Sequence, residues 1–221
     1  MKHLLFLHII FLSICFSQIQ NGGTPIYFNN RTIDIDFIDT DSSQLIDRNF
    51  HPMVFQFGSE YDLDISVLNE AQVYIENNLY TFLIGVSSDG AYGLGFNFSE
   101  FYLSENAELF FYDRERTSFL GALTELNNKD SQSITTSIIK GSDVIIELTV
   151  PENEIEDIKL HIDTVIHDRV DIMNYYNTLD ADREDCNINV ICPEGDDWRE
   201  QINGVVRVSM GGGLCSASLV N

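Results

Sequence analysis

The stretch Asp143-Val144-Ile145-Ile146-Glu147-Leu148-Thr149-Val150-Pro151 carries the clearest structural pattern in this chain of 221 residues. Apolar side chains occupy every second position of it, at Val144, Ile146, Leu148 and Val150. This alternation predicts a β-strand with one buried face. The same alternation recurs in three further runs: Leu94, Phe96 and Phe98; Ala107, Leu109 and Phe111; and Ile158, Leu160 and Ile162.

Turn-forming residues separate these runs at regular intervals. Ser88-Asp89-Gly90, residues 127–130 and residues 140–143 are rich in Asn, Asp, Ser and Gly, which favour turns. Short strands at even spacing are typical of a β-sandwich or a jelly roll. Residues 79–86 are almost all apolar and predict a central strand, whereas residues 118–127 predict a short helix.

The chain begins with the features of an export signal. Lys2 and His3 precede an apolar run over residues 4–16, and Ser17 is a small residue at a plausible cleavage point. This pattern is typical of a signal peptide, so we expect residues 1–17 to be removed and the protein to be secreted. A membrane anchor is disfavoured because the run is shorter than the roughly 20 residues that cross a bilayer.

Negative charge is concentrated in one part of the chain. Residues 18–185 contain 31 acidic and 9 basic residues, whereas residues 186–221 contain 4 acidic and 2 basic residues. Binding to nucleic acid or to anionic lipid needs clustered Lys and Arg. The charge pattern therefore argues against nucleic-acid and membrane partners, and the simplest role for the acidity is solubility outside the cell.

The cysteines lie at the other end. Cys15 belongs to the signal peptide, and Cys186, Cys192 and Cys215 are the remaining three. An odd number of cysteines in an exported chain indicates an intermolecular bond, a free thiol or partners elsewhere. Their clustering favours partners beyond Asn221, while a local bond between Cys186 and Cys192 remains the alternative. No histidine follows Cys186, so a zinc site is disfavoured and we expect no metal.

Residues 186–221 have the character of a new domain. Gly204-Val205-Val206-Arg207-Val208-Ser209 and Cys215-Ser216-Ala217-Ser218-Leu219-Val220 flank the triple glycine at 211–213 and predict a hairpin. The segment resembles the start of the mature domain of secreted lysyl-endopeptidase-like bacterial proteases, a branch of the trypsin-like serine endopeptidases. The resemblance rests on the spacing of Cys186 and Cys192, on Cys192-Pro193-Glu194-Gly195-Asp196, on Trp198-Arg199, and on Cys215-Ser216-Ala217-Ser218-Leu219-Val220-Asn221. The family usually has Gly where this chain has Ala217.

The resemblance implies an exported precursor whose catalytic residues lie beyond Asn221. In the family, a Thr-Ala-x-His-Cys element with the catalytic histidine follows this segment, and the family's cysteines pair with partners further along the domain. We therefore expect no catalytic residue, cofactor or metal in this chain, and downstream partners for Cys186, Cys192 and Cys215. The remainder of the catalytic domain is the expected partner, and proteins are the expected substrates of the full-length enzyme.

The family's precursors also carry a β-sandwich-like pro-region before the catalytic domain. The expected fold class is all-β: a sandwich or jelly-roll-like pro-region over residues 18–167, followed by the first strands of a truncated trypsin-like barrel over residues 186–221. Residues 168–185 would form the linker, with Arg183 the first candidate and Arg169 the second for processing. A pro-region of this kind would assist folding and maintain latency. Arg183 is equally consistent with an ordinary solvated linker charge.

The sequence contains no independent active site. Neither Gly-x-Ser-x-Gly nor Gly-Asp-Ser-Gly-Gly occurs, and we expect His51, His161 and His167 to be polar surface residues. Two alternatives remain open. One is a non-catalytic secreted β-sandwich that binds carbohydrate or a surface partner through aromatics such as Tyr61, Tyr92 and Tyr102. The other is a protease inhibitor derived from a pro-region.

Overall fold

The computed structural model describes residues 20–30, 32–48, 50–52, 54–179 and 193–218. These residues form a mostly β structure with two six-stranded sheets and one three-stranded sheet, which confirms the mostly β prediction. The strands are β1 Phe37–Asp39, β2 Leu45–Ile46, β3 Phe55–Gln56, β4 Gly58–Ser66, β5 Gln72–Glu76, β6 Leu79–Ser87, β7 Gly93–Tyr102, β8 Glu108–Asp113, β9 Phe119–Leu123, β10 Ile134–Thr135, β11 Ile139–Lys140, β12 Asp143–Pro151, β13 Lys159–Asp168, β14 Val205–Met210 and β15 Gly213–Ser218. The helices are α1 Val67–Glu70, α2 Ile172–Leu179 and α3 Arg199–Asn203, and single 3₁₀ segments cover Ser42–Gln44, Glu125–Asn127, Glu152–Asp157 and Pro193–Trp198.

Sheet 1 is built around the strand that the sequence marks most clearly. Its order is β1-β6-β12-β8-β9. Strands β1 and β5 pair with the same edge of β6, β5 along its first part and β1 along its last part. Strand β12 lies between β6 and β8, antiparallel to both, with Val144 opposite Val86 and Asp113. The apolar stretch over residues 79–86 is therefore an interior strand, as predicted.

Sheet 2 has the order β10-β7-β13-β4-β2, with β11 also paired to β7. Strand β13 lies between β7 and β4, and its register shifts near Ile162 and Thr164. Such bulges reverse which side chains face inward. They explain why the alternation in the sequence loses its phase at Val165-Ile166.

The main core lies between sheets 1 and 2. The alternating residues of β12 point into it together with those of β7 and β8, and all of them are buried. The rings of Phe96 from sheet 2 and Phe111 from sheet 1 stack with centroids 5.8 Å apart, so the two faces are in direct contact. Each such ring, once buried, stabilises the fold by about 1.5–3 kcal/mol.

The N-terminal segment, residues 20–30 and 32–36, covers the outer face of sheet 1. Tyr27, Phe28 and Ile35 pack on a second apolar cluster that includes Tyr112 and Ile145. At its centre lies the fully buried carboxylate of Glu147. We call residues 20–30 and 32–36 the N-terminal strap.

The outer face of sheet 2 is covered from the C-terminal side. Phe57, Ile166 and Ile172 form a third cluster, and Leu214 of β15 packs against it. Strand β15 also pairs with β3 and β14 to form sheet 3. The C-terminal hairpin thus contacts the outside of sheet 2.

One prediction about local structure is corrected. Residues 118–127 do not form a helix: β9 pairs with β8, and only Glu125–Asn127 turns helically, capped by the side chain of Thr124. Strand pairing to a buried neighbour outweighs the local helical preference there. Within the segment expected as a linker, Asp168 is the last residue of β13 and Ile172–Leu179 form α2, and residues 180–185 lie outside the described residues. No helix among the described residues has the length and apolar character needed to cross a membrane.

Candidate functional site

The C-terminal hairpin is closed by two of its three glycines. Met210 pairs with Gly213 at the end of the ladder, which leaves Gly211 and Gly212 as the turn. Gly211 has φ +61°, a conformation that glycine adopts without the penalty of a side chain. The turn predicted from the triple glycine is therefore confirmed.

This turn is bound to sheet 2 by its backbone. The carbonyl oxygen of Gly212 accepts hydrogen bonds from Phe57 N at 2.9 Å and from Gly58 N at 3.0 Å. Beyond the turn, Gly213 pairs with Gln56 and Leu214 with Phe55. The hairpin is thus joined to the strands that lead into sheet 2.

The space around the turn leaves little room for side chains. A Cβ atom at Gly211 would overlap the carboxylate of Glu60, and one at Gly212 would overlap the backbone of Gly58. At Gly213 a Cβ would lie 2.8 Å from Val54 Cγ1 and 2.9 Å from the Phe50 ring. Gly212 therefore requires glycine for contact with backbone and Gly211 requires it for its positive φ, whereas a larger residue at Gly213 would need the neighbouring side chains to shift.

Glu60 is the polar centre of this contact. Its side chain is buried, yet Oε1 pairs with Arg48 Nε at 2.8 Å and accepts the Gly212 N–H at 3.3 Å. Within the part of the chain that the structure describes, Glu60 Oε2 has no hydrogen-bond partner. A buried carboxylate is costly unless it is paired, so the Arg48 ion pair and the turn amide together hold this charge in place.

Apolar contacts complete the contact surface. Leu214 packs with Phe57, Ile166 and Ile172, and the rings of Phe55 and Tyr175 lie 5.0 Å apart between centroids. A cavity of about 200 Å³ adjoins Glu60 and is lined by other polar groups, including Asp47, Arg48 and Arg169. Acidic and basic groups are balanced along it, so it favours neither anions nor cations.

The predicted disulfide and processing residues are only partly described. Cys186, Cys192 and Arg183 lie outside the described residues. Cys215 lies half-buried in β15 opposite Val208; it is the only cysteine in the described part and forms no disulfide there.

The structure places Arg169 in a firmly held corner between β13 and α2. Its side chain is exposed, but its N–H donates to Phe57 O at 3.0 Å. The neighbouring Asp168 is fully buried, and its carboxylate accepts from Val170 N at 2.9 Å and Ile172 N at 2.8 Å.

The prediction of a surface position is wrong for His167. His167 is buried, and its Nδ1 lies 2.8 Å from Ser88 Oγ, which in turn lies 2.7 Å from Thr40 Oγ1. Burial lowers the pKa of His167, and the nearby positive charge of Arg169 lowers it further, so the neutral ring is favoured. The Ser88 and His167 pair connects the two large sheets and is closed to a substrate.

His51 and His161 are accessible. His161 Nε2 lies 2.9 Å from Asp64 Oδ1, on a partly exposed surface, and His51 is exposed. Among the described residues, no three His, Cys, Asp or Glu side chains are grouped so that they could hold a metal ion.

The three tyrosines proposed for carbohydrate binding do not converge. Tyr61 packs partly on the main core and against the His167 ring. Tyr92 immediately precedes β7 and Tyr102 ends it, which separates them by about 30 Å at the rise of an extended strand. A shallow groove of about 490 Å³ near Asn97 and Lys129 includes none of the three.

Sequence reasoning missed Glu60 and Glu147 as structural centres. The sequence does indicate Glu147, because it is the one charged residue within the apolar run of β12. It does not indicate Glu60, because the partner Gly212 lies 152 positions away in the chain.

Comparison with known proteins adds no identification. No protein-family model matches this chain, and no solved structure matches it.

Proposed function

We propose that this chain is the N-terminal part of a secreted serine-endopeptidase precursor. Residues 18–167 would be a β-sandwich pro-region of jelly-roll type, and the β14–β15 hairpin would supply the first strands of a trypsin-like barrel. The observation that carries the proposal is the binding of the Gly211–Gly213 turn to sheet 2, because it brings the resembling segment into contact with the preceding β region.

A folding role follows from the energetics of hairpins. An isolated two-stranded hairpin is marginally stable in water. Pairing with β3 adds a third strand. Contact with sheet 2 adds two backbone hydrogen bonds to Gly212 O and one from Gly212 N–H to the Glu60 carboxylate, each worth about 1 kcal/mol, and Leu214 adds apolar contact. A preformed β surface of this kind lowers the entropy cost of pairing distant strands, which slows the folding of β domains.

The same contact offers a basis for latency. A hairpin held on sheet 2 by Glu60 and Phe57 is constrained until the two parts separate. The chemistry of the full-length enzyme would be acyl transfer by serine, histidine and aspartate, all contributed by residues beyond Asn221. No cofactor or metal is required for that reaction.

Expression of the complete reading frame tests the proposal. The secreted product should cleave a fluorogenic peptide after maturation, whereas the chain ending at Asn221 should show no peptidase activity. Gly212→Ala in the precursor should lower the yield of active enzyme at least about tenfold, since the turn would no longer dock. Ala217→Val adds bulk at an exposed position of the same strand and serves as the matched control.

Two results would contradict the proposal. One is a downstream sequence without the Thr-Ala-x-His-Cys element and a serine motif. The other is an equal yield of active enzyme from the Gly212→Ala and Ala217→Val precursors, which would leave the hairpin contact without a role in maturation.

A further inference from the structure

We propose that the outer edge of sheet 2 is a recognition site for a glycine-only β-turn followed by an apolar residue, and that it binds such a turn when a separate polypeptide offers it. The site consists of Phe50, Val54, residues 55–58 and Glu60, and we call it the glycine-turn site. This inference concerns the binding surface itself and stands whether or not the chain belongs to a protease precursor.

The site recognises backbone. Phe57 N and Gly58 N converge on one carbonyl oxygen, that of Gly212, while Glu60 Oε1 accepts the N–H of the same residue. Both polar groups of one peptide residue are thus satisfied by the site. Recognition of this kind places no demand on side-chain chemistry, and it works only if the backbone can approach closely.

Close approach is what selects glycine. The Gly58 backbone occupies the place where a Cβ atom of Gly212 would lie, and the side chains of Glu60, Val54 and Phe50 lie close to where Cβ atoms of the neighbouring glycines would be. The Gly58 backbone forms the wall of the site and packs closely against β13, since a Cβ atom at Gly58 would lie 2.8 Å from His167 O. It therefore has little room to move away from the turn. A backbone wall cannot move aside as the end of a flexible side chain can, so alanine is excluded at the central position.

The residue after the turn provides the apolar anchor. Leu214 packs on Phe57, Ile166 and Ile172, next to the short pairing of Gly213 and Leu214 with β3. Strand addition combined with one side-chain pocket is a common mode of peptide recognition. The contact is short, so we expect binding that is specific and reversible.

The occupant to which the geometry points is the sequence Gly-Gly-Gly-Leu in a hairpin turn. In this structure the chain's own residues 211–214 fill the site. A second copy of the chain presents the same backbone and the same anchor and is the occupant we propose, and a peptide with the same turn serves as its probe. A longer hairpin is not needed, since residues beyond Leu214 are not paired with β3.

The test uses the full chain with Gly212→Ala, whose own turn can no longer occupy the site. Loss of hydrogen-exchange protection at the amides of Phe57 and Gly58, compared with the Ala217→Val chain, shows that the site has been vacated. A labelled synthetic peptide covering residues 205–218, with Cys215→Ser to prevent disulfide exchange, is then titrated by fluorescence anisotropy. The wild-type chain is titrated in the same way as a control, because its own turn fills the site and competes with the peptide.

We expect saturable binding to the vacated chain and at least about tenfold weaker binding to the wild-type chain. The peptide with Gly212→Ala should bind at least about tenfold more weakly than the parent, and the peptide with Ala217→Val should bind equally well. Equal binding of the Gly212→Ala and parent peptides, no binding to the vacated chain, or unchanged protection in the Gly212→Ala chain would each overturn the proposal.

A second recipient covers the case in which the Gly212→Ala chain loses its cooperative thermal transition. Leu214→Ser keeps all three glycines and removes the apolar anchor, so the hairpin is weakened without a steric clash. The same peptides should show the same order of affinity on this chain. Equal affinities of the peptides for the Leu214→Ser chain, or a reversed order of affinity, would overturn the proposal.

Discussion

At the scale of single residues, Glu147 shows how one buried carboxylate organises a surface. Its oxygens accept hydrogen bonds from Ile26 N at 2.5 Å, Tyr27 N at 3.2 Å and Tyr112 Oη–H at 2.8 Å. Burial raises the pKa of Glu147, although these three donors and the charge of Arg116 act in the opposite direction. Burial raises the pKa of Tyr112, and the charge of the same carboxylate raises it further.

Glu147→Gln should therefore loosen the N-terminal strap. An amide presents only one acceptor oxygen, so at least one of the strap N–H groups would face another donor. We expect the free energy of unfolding to fall by about 1–3 kcal/mol. Urea denaturation of both chains, together with hydrogen exchange at Ile26 and Tyr27, measures this loss.

The effect of Glu147→Gln should depend on pH with a defined sign. The pKa of Glu147 is raised above the ordinary value of 4.5. The stability that this raised pKa contributes is therefore fully present below pH 4.5 and is lost as the pH rises through the folded-state pKa. The difference in free energy of unfolding between the wild-type and Glu147→Gln chains should shrink over that interval. Tyr112→Phe keeps the carboxyl group and should retain the pH dependence; a difference that grows with pH would contradict this account.

The burial of Glu147, Glu60 and His167 could not be predicted from the sequence. Alternation along a strand tells which face is buried, but it does not tell that a second layer covers the opposite face. The strap buries Glu147, and the C-terminal hairpin helps to bury Glu60. Both covers come from segments distant in the chain, and neither has a periodic pattern that predicts its position.

At the scale of elements, the strands with regular alternation were predictable and the irregular ones were not. Strand β12 and the apolar β6 lie as their patterns indicate. The short β9, expected as a helix, is set by its pairing with β8. Strand β1 is a further case, because it is three residues long and pairs in parallel with β6.

Gly85 on β6 makes the pairing of β1 possible. A Cβ atom there would lie 2.6 Å from the ring of Phe37, which occupies the space above the glycine. Gly85→Ala should displace Phe37 and lower the free energy of unfolding by about 1–3 kcal/mol, the usual cost of overpacking. Chemical denaturation measures the change, and hydrogen exchange at the Gly85 amide, which donates to Asp36 O at 3.0 Å, locates it.

A double substitution separates this clash from a general loss of strand stability. Phe37→Ala removes the ring, so Gly85→Ala should cost less in that background, with a coupling of about 0.5 kcal/mol or more. Strictly additive effects would mean that the Phe37 ring is not what excludes a side chain at Gly85.

At the scale of the whole molecule, the sequence predicted a mostly β chain and the hairpin near its C-terminal end, but not their contact. Triple glycine indicated a turn, since glycine tolerates the required backbone conformation. That the same glycines also permit close packing against Glu60 and Gly58 depends on tertiary structure. The glycine-turn site could be found only once sheet 2 and the hairpin were seen together.

The charge of the molecule leads to a prediction about salt. The chain has a formal net charge of −23, and ion pairs in the described part are few. Repulsion among like charges destabilises a compact state, and raising the ionic strength from 0.01 to 0.15 M shortens its range from about 30 to about 8 Å. We expect NaCl over this range to raise the thermal midpoint by about 2–4 °C, equivalent to about 1 kcal/mol for a chain of this size.

Choline chloride at equal ionic strength should give the same rise in the thermal midpoint, because screening does not depend on the identity of the cation. A fall in the midpoint would mean that attractive ion pairs outweigh the repulsion.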